Sequence, residues 1–224
     1  MKLLTRYMRS VRGFTLIELT VSITIMIIMT GVLLANYPES AIRITLVNTV
    51  HKVALLVREA QVRGSAIDSS NSSLGGYGIY VDLATPGQIV LFGDSVTGTG
   101  GSESVYGLPI GDGLYETSPV NELKSLTTFP SRYLVQKVCV GQAFPFICNA
   151  YGAPSTPSIT SLTISFTRPN PQPNIYINGS KATNYSAGCI ELWSPHAPLI
   201  GHIRAIEVYN SGMIRTTLTG CDNN

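Results

Sequence analysis

The chain has 224 residues, of which 44% are hydrophobic and only 12% charged, about half the charged share of an ordinary soluble domain. That balance excludes an extended disordered chain, which carries more charge and fewer β-branched and aromatic side chains. The formal net charge of +2 is unevenly spread: Lys2, Arg6, Arg9 and Arg12 precede any acid, and the chain beyond residue 13 holds 11 basic and 13 acidic side chains. A body of net −2 has no overall pull toward nucleic acid or acidic lipid, so any such binding needs a local patch.

In chain order, the first element is the apolar run of residues 14–35, 22 residues with one charge, Glu18. As a helix it is about 33 Å long, enough to cross a hydrocarbon core. No second run is long enough to do so, which excludes a multi-span membrane protein. The basic flank predicts a cytoplasmic N-terminus and an extracytoplasmic body. A cleaved secretory signal would need small residues after the apolar core, and this one ends Val-Leu-Leu-Ala-Asn-Tyr-Pro. A plain signal anchor is the other reading, but it gives no reason for a glutamate near the start of the span.

The hexapeptide Gly13-Phe14-Thr15-Leu16-Ile17-Glu18, behind its short basic leader, resembles the class III signal of type IV pilins and type II secretion pseudopilins. The resemblance implies cleavage after Gly13 by a prepilin peptidase and N-methylation of Phe14. It also implies other pilin subunits and an inner-membrane assembly platform as partners, and membrane lipid before assembly. One departure is visible. These families often carry a proline at the twenty-second residue of the mature chain, which is Ala35 here, whereas this chain has Pro38. Glu18 is a functional candidate on physical grounds alone, because a carboxylate in a membrane core costs at least a few kcal/mol. A neighbouring subunit's Phe14 amine would remove both charges together; the bland alternative is a protonated, passive side chain.

Past Pro38, residues Leu46, Val50, Val53, Val57, Ala60 and Ile67 recur at spacings of three and four, with Gly64 in the expected slot between the last two. This predicts an amphipathic helix over residues 36–68 laid on a globular core, with Pro38 in its first turn. A short coiled-coil seam is the rival. Residues 68–73 favour caps and turns and should end the helix.

The period then changes. Residues 77–83 and 88–92 read as a hairpin, followed by a Gly/Ser/Thr-rich loop to about residue 119. Further strands are expected at 133–140, 158–167, 174–178, 189–193, 203–209 and 213–218, the last two forming a hairpin around Asn210-Ser-Gly212. One long helix followed by such strands indicates an α+β fold, a pilin-like antiparallel sheet wrapped over the stem in a domain spanning residues 69–224. The run Val57-Arg-Glu-Ala-Gln61 into Gly76-Tyr-Gly-Ile-Tyr-Val-Asp82 resembles the H-type, FimT-like minor pseudopilins.

Four cysteines, Cys139, Cys148, Cys189 and Cys221, lie beyond the span, and an even count in an exported body favours disulfides, with three connectivities. Cys139 and Cys148 flank a short loop and are the preferred local pair; Cys221 would then tie the tail to Cys189. No Cys-x-x-Cys pair and no histidine at finger spacing supports zinc. Asp94, Asp112 and Glu116 share a glycine-rich loop but lack the alternation of an EF-hand loop. No Gly-x-Ser-x-Gly elbow and no His-Glu-x-x-His helix is present, and His196 and His202 read as loop histidines, so neither an enzyme nor a cofactor is expected. Asn-x-Ser sequons occur at Asn71, Asn178 and Asn184. Some FimT-like proteins bind DNA through C-terminal basic residues, and Lys181, His202, Arg204 and Arg215 are the corresponding candidates, with Glu207 and Asp222 close in sequence. The reading is a membrane-inserted structural subunit. The alternatives are a DNA-capturing minor pilin and a signal-anchored surface protein that never polymerises.

Overall fold

The computed structural model describes residues 13–66, 74–96, 104–105, 108–109, 111–118, 121–142, 146–152, 158–168, 170, 172–194 and 202–221. Residues 1–12, Ile67, the turn expected at 68–73, Asn71, His196 and Asp222 lie outside them. The chain divides into two compact units, residues 1–41 and 42–224.

One helix, α1, runs Leu16–Ser65 without interruption. Pro38 therefore does not open a second helix, as its position had suggested. A proline removes a single backbone donor, and the hydrogen-bonded turns on either side carry the helix past it. Within the second unit the helix buries Leu46, Val50, Val53, Val57 and Ala60 on one face. Gly64 continues that face, and its bare Cα is required. A Cβ there would lie 2.3 Å from the carbonyl oxygen of Phe166, so helix and strand approach closer than any side chain permits.

Thirteen strands are described: β1 (Leu74–Asp82), β2 (Gln88–Ser95), β3 (Ser104–Val105), β4 (Leu108–Pro109), β5 (Leu123–Thr128), β6 (Leu134–Gly141), β7 (Ile147–Ala150), β8 (Ser161–Thr167), β9 (Pro173–Ile177), β10 (Ser180–Lys181), β11 (Ala187–Trp193), β12 (Ile203–Tyr209) and β13 (Ile214–Thr217). They form two main antiparallel sheets, ordered β10-β9-β8-β1-β2-β5 and β13-β12-β11-β6-β7, with β3 and β4 as a separate pair. The fold is α+β as expected, but the single expected sheet is two. The expected loop after residue 93 contains the β3–β4 pair, and β5 and β7 are additional edge strands. β5 carried no alternating pattern because nearly all of its side chains are exposed. β7 has only four residues, too few for a period to be read.

The period-2 alternation of each sheet directs one face inward. Ile79, Val81, Ile89, Leu91, Leu162, Ile164 and Phe166 from the first sheet meet Val138, Val140, Ile190, Leu192, Ile206 and Val208 from the second, together with the helix stripe, in one contiguous core. On the outer face of the first sheet, the Phe92 ring occupies the space above Gly78, its direct cross-strand partner. A second, smaller cluster of Cys139, Phe146, Ala187, Cys189, Ala205 and Cys221 lies apart from that core.

Candidate assembly segment and body surface

The helix starts with a reciprocal cap. Thr15 Oγ1 accepts from the Glu18 backbone N–H at 3.3 Å, and Glu18 Oε2 accepts from the Thr15 N–H at 3.1 Å and from the Thr15 hydroxyl at 2.9 Å. This capping box satisfies orphan donors of the first turn and puts a carboxylate at the positive end of the helix. The Thr-x-x-Glu spacing was legible in the sequence and went unread there, because Glu18 was considered only as a charge.

From Leu16 to Leu34 the apolar side chains stand open, with Phe14 at 84% and Leu33 at 73% exposure. An 18-residue window in α1 reaches a mean hydropathy of 2.2 with none of it buried in the chain itself. The polar side chains turn back on the helix: the hydroxyls of Thr20, Ser22, Thr24 and Thr30 donate to the carbonyls of Ile17, Glu18, Thr20 and Met26. A helix dressed in this way leaves those hydroxyl donors satisfied in a medium that offers no partners. Glu18 is the one ionisable side chain from Phe14 to Asn36.

In the body, both disulfides form, Cys139–Cys148 and Cys189–Cys221, and no cysteine is free. The first joins directly opposed residues of β6 and β7, with Cα atoms 4.1 Å apart. The second ties the C-terminal tail to β11. There the Cys221 N–H donates to Glu191 Oε2 at 2.9 Å, and Gly220 packs so close to that oxygen that a Cβ would meet it at 2.2 Å. Lys137 Nζ lies 3.7 Å from the other oxygen of the buried Glu191.

The acidic loop lies over the outer face of the first sheet. Glu122 Oε1 accepts from the Ser95 N–H at 2.6 Å and its Oε2 from the Glu116 N–H at 2.8 Å, so one carboxylate fastens the segment to β2. Tyr115 adds its ring against Tyr80 and Phe92, at 5.4 and 5.8 Å between centroids. Asp94 is fully buried; its Oδ2 accepts from the Gly113 N–H at 3.0 Å. Desolvation, with Glu122 next in importance, pushes Asp94 up to about 8. Asp112 accepts from its own loop at Leu114. Among the described residues, no three His, Cys, Asp or Glu side chains are grouped to hold a metal ion.

The four basic candidates are not gathered. Opposite Glu207, Arg215 lies on the outer face of the second sheet, where its Nη2 and Nε bond Glu207 Oε2 at 2.8 and 2.9 Å. Arg204 is an odd number of residues from Glu207 on β12 and so faces the other way. Its Nη1 donates to the carbonyls of Ile203 and Leu218, and burial, then Arg43, lowers its pKa. Lys181 is on β10, at the far edge of the first sheet, and His202 directly precedes β12. The terminal hairpin thus separates Arg204 and Arg215 instead of joining them. Asn178 is committed as well: its carboxamide oxygen accepts from Thr160 and the Ser161 N–H, and its amide donates to the Ser158 carbonyl. Asn184 sits in an exposed turn.

Comparison with known families gives one match: residues 8–34 fit the prokaryotic N-terminal methylation motif. No curated protein and no solved structure matches the chain. The matched segment contains the capped start of α1 and nearly all of its apolar run. With the single open apolar helix and the two disulfides, it supports a type IV pilin-like or pseudopilin subunit that is processed by a prepilin peptidase and anchored in the inner membrane.

Proposed function

We propose that the chain is a non-enzymatic structural subunit, of the minor H-like kind, in a type IV pilus or a type II secretion pseudopilus. Residues 1–13 are removed by a prepilin peptidase, the new amine of Phe14 is methylated, and the apolar helix holds the subunit in the inner membrane with its body outside. An assembly platform then moves the subunit into a fibre, where Glu18 meets the Phe14 amine of an adjacent copy or of another pilin. The observation that carries this reading is the methylation motif at residues 8–34. Its physical support is that Glu18 interrupts the otherwise uncharged apolar run of residues 14–35, whose apolar side chains from Leu16 to Leu34 stand exposed.

Intact-mass analysis of the membrane-extracted protein tests it. The expected species lacks residues 1–13 and carries one added methyl group; Gly13→Phe should leave the full-length precursor. A mature terminus elsewhere would overturn the assignment. Detection of the chain in sheared fibres separates it from an anchored monomer. Salt-sensitive DNA binding that is lost in Arg204→Ala/Arg215→Ala would move the reading to DNA capture.

A further inference from the structure

The two disulfides are neighbours in one cross-strand row. On one side β6 pairs Cys139 with Cys148 of β7, and on the other side it pairs Cys139 with Cys189 of β11. Directly opposed residues of antiparallel strands project to the same face, with Cα atoms about 4.5–5.5 Å apart, within the span a disulfide bridges. Cys139, Cys148, Cys189 and Cys221 accordingly pack in a single cluster with Phe146, Ala187 and Ala205. Their exposure differs. Cys139, Cys189 and Cys221 are wholly buried, and only Cys148 is partly open.

We propose that the row is a thiol–disulfide relay, in which a thiol arriving at Cys148 opens the sealed Cys189–Cys221 bond and frees the C-terminal tail. A low-molecular-weight thiolate attacks Cys148 Sγ, forming a mixed disulfide there, and Cys139 leaves as the thiolate. The Cys139 thiolate attacks Cys189 Sγ; the Cys139–Cys189 bond forms, the Cys189–Cys221 bond breaks, and Cys221 leaves as a thiolate that takes a proton from water. One external thiol is consumed as the cap on Cys148, and one thiol appears at Cys221. No electrons are lost from the set.

The tail is the element that responds. Beyond β13 it is held to this face by the Cys189–Cys221 bond, by the Cys221 N–H on Glu191 and by the close approach of Gly220. Loss of the covalent tie leaves the Cys221 N–H on Glu191, the Arg204 bond to the Leu218 carbonyl and the Gly220 contact among the ties that keep it there. With both of its sulfurs buried, the Cys189–Cys221 bond gives an outside thiol no direct approach in the folded chain. Cys139 is the route to it.

Two experiments on the full-length, detergent-extracted chain test the relay. In Cys148→Ser, Cys139 starts as a free thiol beside an intact Cys189–Cys221 bond; in Cys139→Ser/Cys148→Ser the Cys139–Cys148 bond is likewise absent and Cys189–Cys221 intact, but no internal nucleophile remains. Native-state maleimide labelling of Cys221 should be at least about tenfold faster in the single variant, with a Cys139–Cys189 peptide recovered on non-reducing mapping. Equal labelling of Cys221 in the two, with the label on Cys139 in the single variant, overturns the proposal. The second experiment needs no variant. Wild-type chain titrated with glutathione and quenched by acid should show glutathione on Cys148 first, then a Cys139–Cys189 bond with Cys221 free. Glutathione appearing first on Cys189 or Cys221, or a free Cys139 persisting beside an intact Cys189–Cys221 bond, would equally overturn it.

Discussion

The two halves of α1 have the same backbone and opposite relations to their surroundings. Between Leu16 and Leu34 apolar side chains point in every direction and none is buried. Between Leu46 and Ala60 apolar burial is confined to one face, and His51, Lys52 and Arg58 are exposed on the others. A helix that is apolar all round is stable in lipid or among other helices, whereas a one-sided helix needs a core of its own chain. The first half thus depends on what lies outside the subunit, and the second on the β-sheets inside it.

Two glycines in this one helix give the largest test of that contrast. Gly64→Ala puts a methyl group against the Phe166 carbonyl and should destabilise the body by about 2–4 kcal/mol, as overpacking against backbone does. Gly31 has nothing within 4 Å of the position a Cβ would take. Gly31→Ala should leave the unfolding midpoint of the body unchanged and favour the helix locally by about 1 kcal/mol. Urea unfolding followed by Trp193 fluorescence measures both. Similar midpoints for the two variants would mean that the halves are not energetically distinct.

How far the sequence revealed each half follows from the same contrast. The methylation hexapeptide and the apolar run are local signals, read without knowledge of any tertiary contact. The stripe from Leu46 to Ala60 was equally plain, because burial against one partner imposes a helical period. Strands that send alternate apolar residues into the core, such as β8 with Leu162, Ile164 and Phe166 and β12 with Ile206 and Val208, were found for the analogous reason. What was missed depends on long-range placement. β5 is an edge strand that buries almost nothing, the division into two sheets lies in pairings rather than in any strand, and Pro38 is overruled by the turns around it. The capping box is the exception, a local signal passed over. The disulfide partners were anticipated, but the shared row that makes Cys139 a neighbour of Cys189 requires the register of β6 against β11.

The second test bears on the body alone, where a buried acid responds to pH as none in the exposed half can. Asp94 ordinarily titrates near 3.8 and is pushed up to about 8 in the fold. Between those values the folded chain keeps a proton that the unfolded chain has released, so stability falls as pH rises from about 4 to 8 and levels off above. Glu122 is raised as well, chiefly by desolvation, and contributes with the same sign. Asp94→Asn should flatten the profile and gain about 2 kcal/mol over wild type at pH 8, with little difference near pH 4. Urea midpoints measured across that range decide it; a wild-type profile that rises toward pH 8 would show that Asp94 is ionised in the fold.

The smallest expected effect belongs to the first half, where Glu18 holds two roles that substitution can separate. As a cap it bonds Thr15, and in the proposed function its charge meets a neighbouring subunit's amine. Glu18→Gln keeps a capping box, since a glutamine oxygen accepts the same bonds, but removes the charge. Thr15→Ala keeps the charge and removes the cap, at about 1 kcal/mol of local helix stability. Neither change touches the core, so both variants should be inserted and should unfold at the wild-type midpoint. If assembly depends on the charge pair, Glu18→Gln should be depleted about tenfold from mixed fibres, equivalent to about 1.4 kcal/mol per added subunit, and Thr15→Ala by much less. Quantitative mass spectrometry of fibres from cells co-expressing variant and wild type gives the ratio. The opposite order would make Glu18 a helix cap first, with the apolar surface alone supplying the attraction between subunits. Equal incorporation of all three would leave both roles without consequence for assembly.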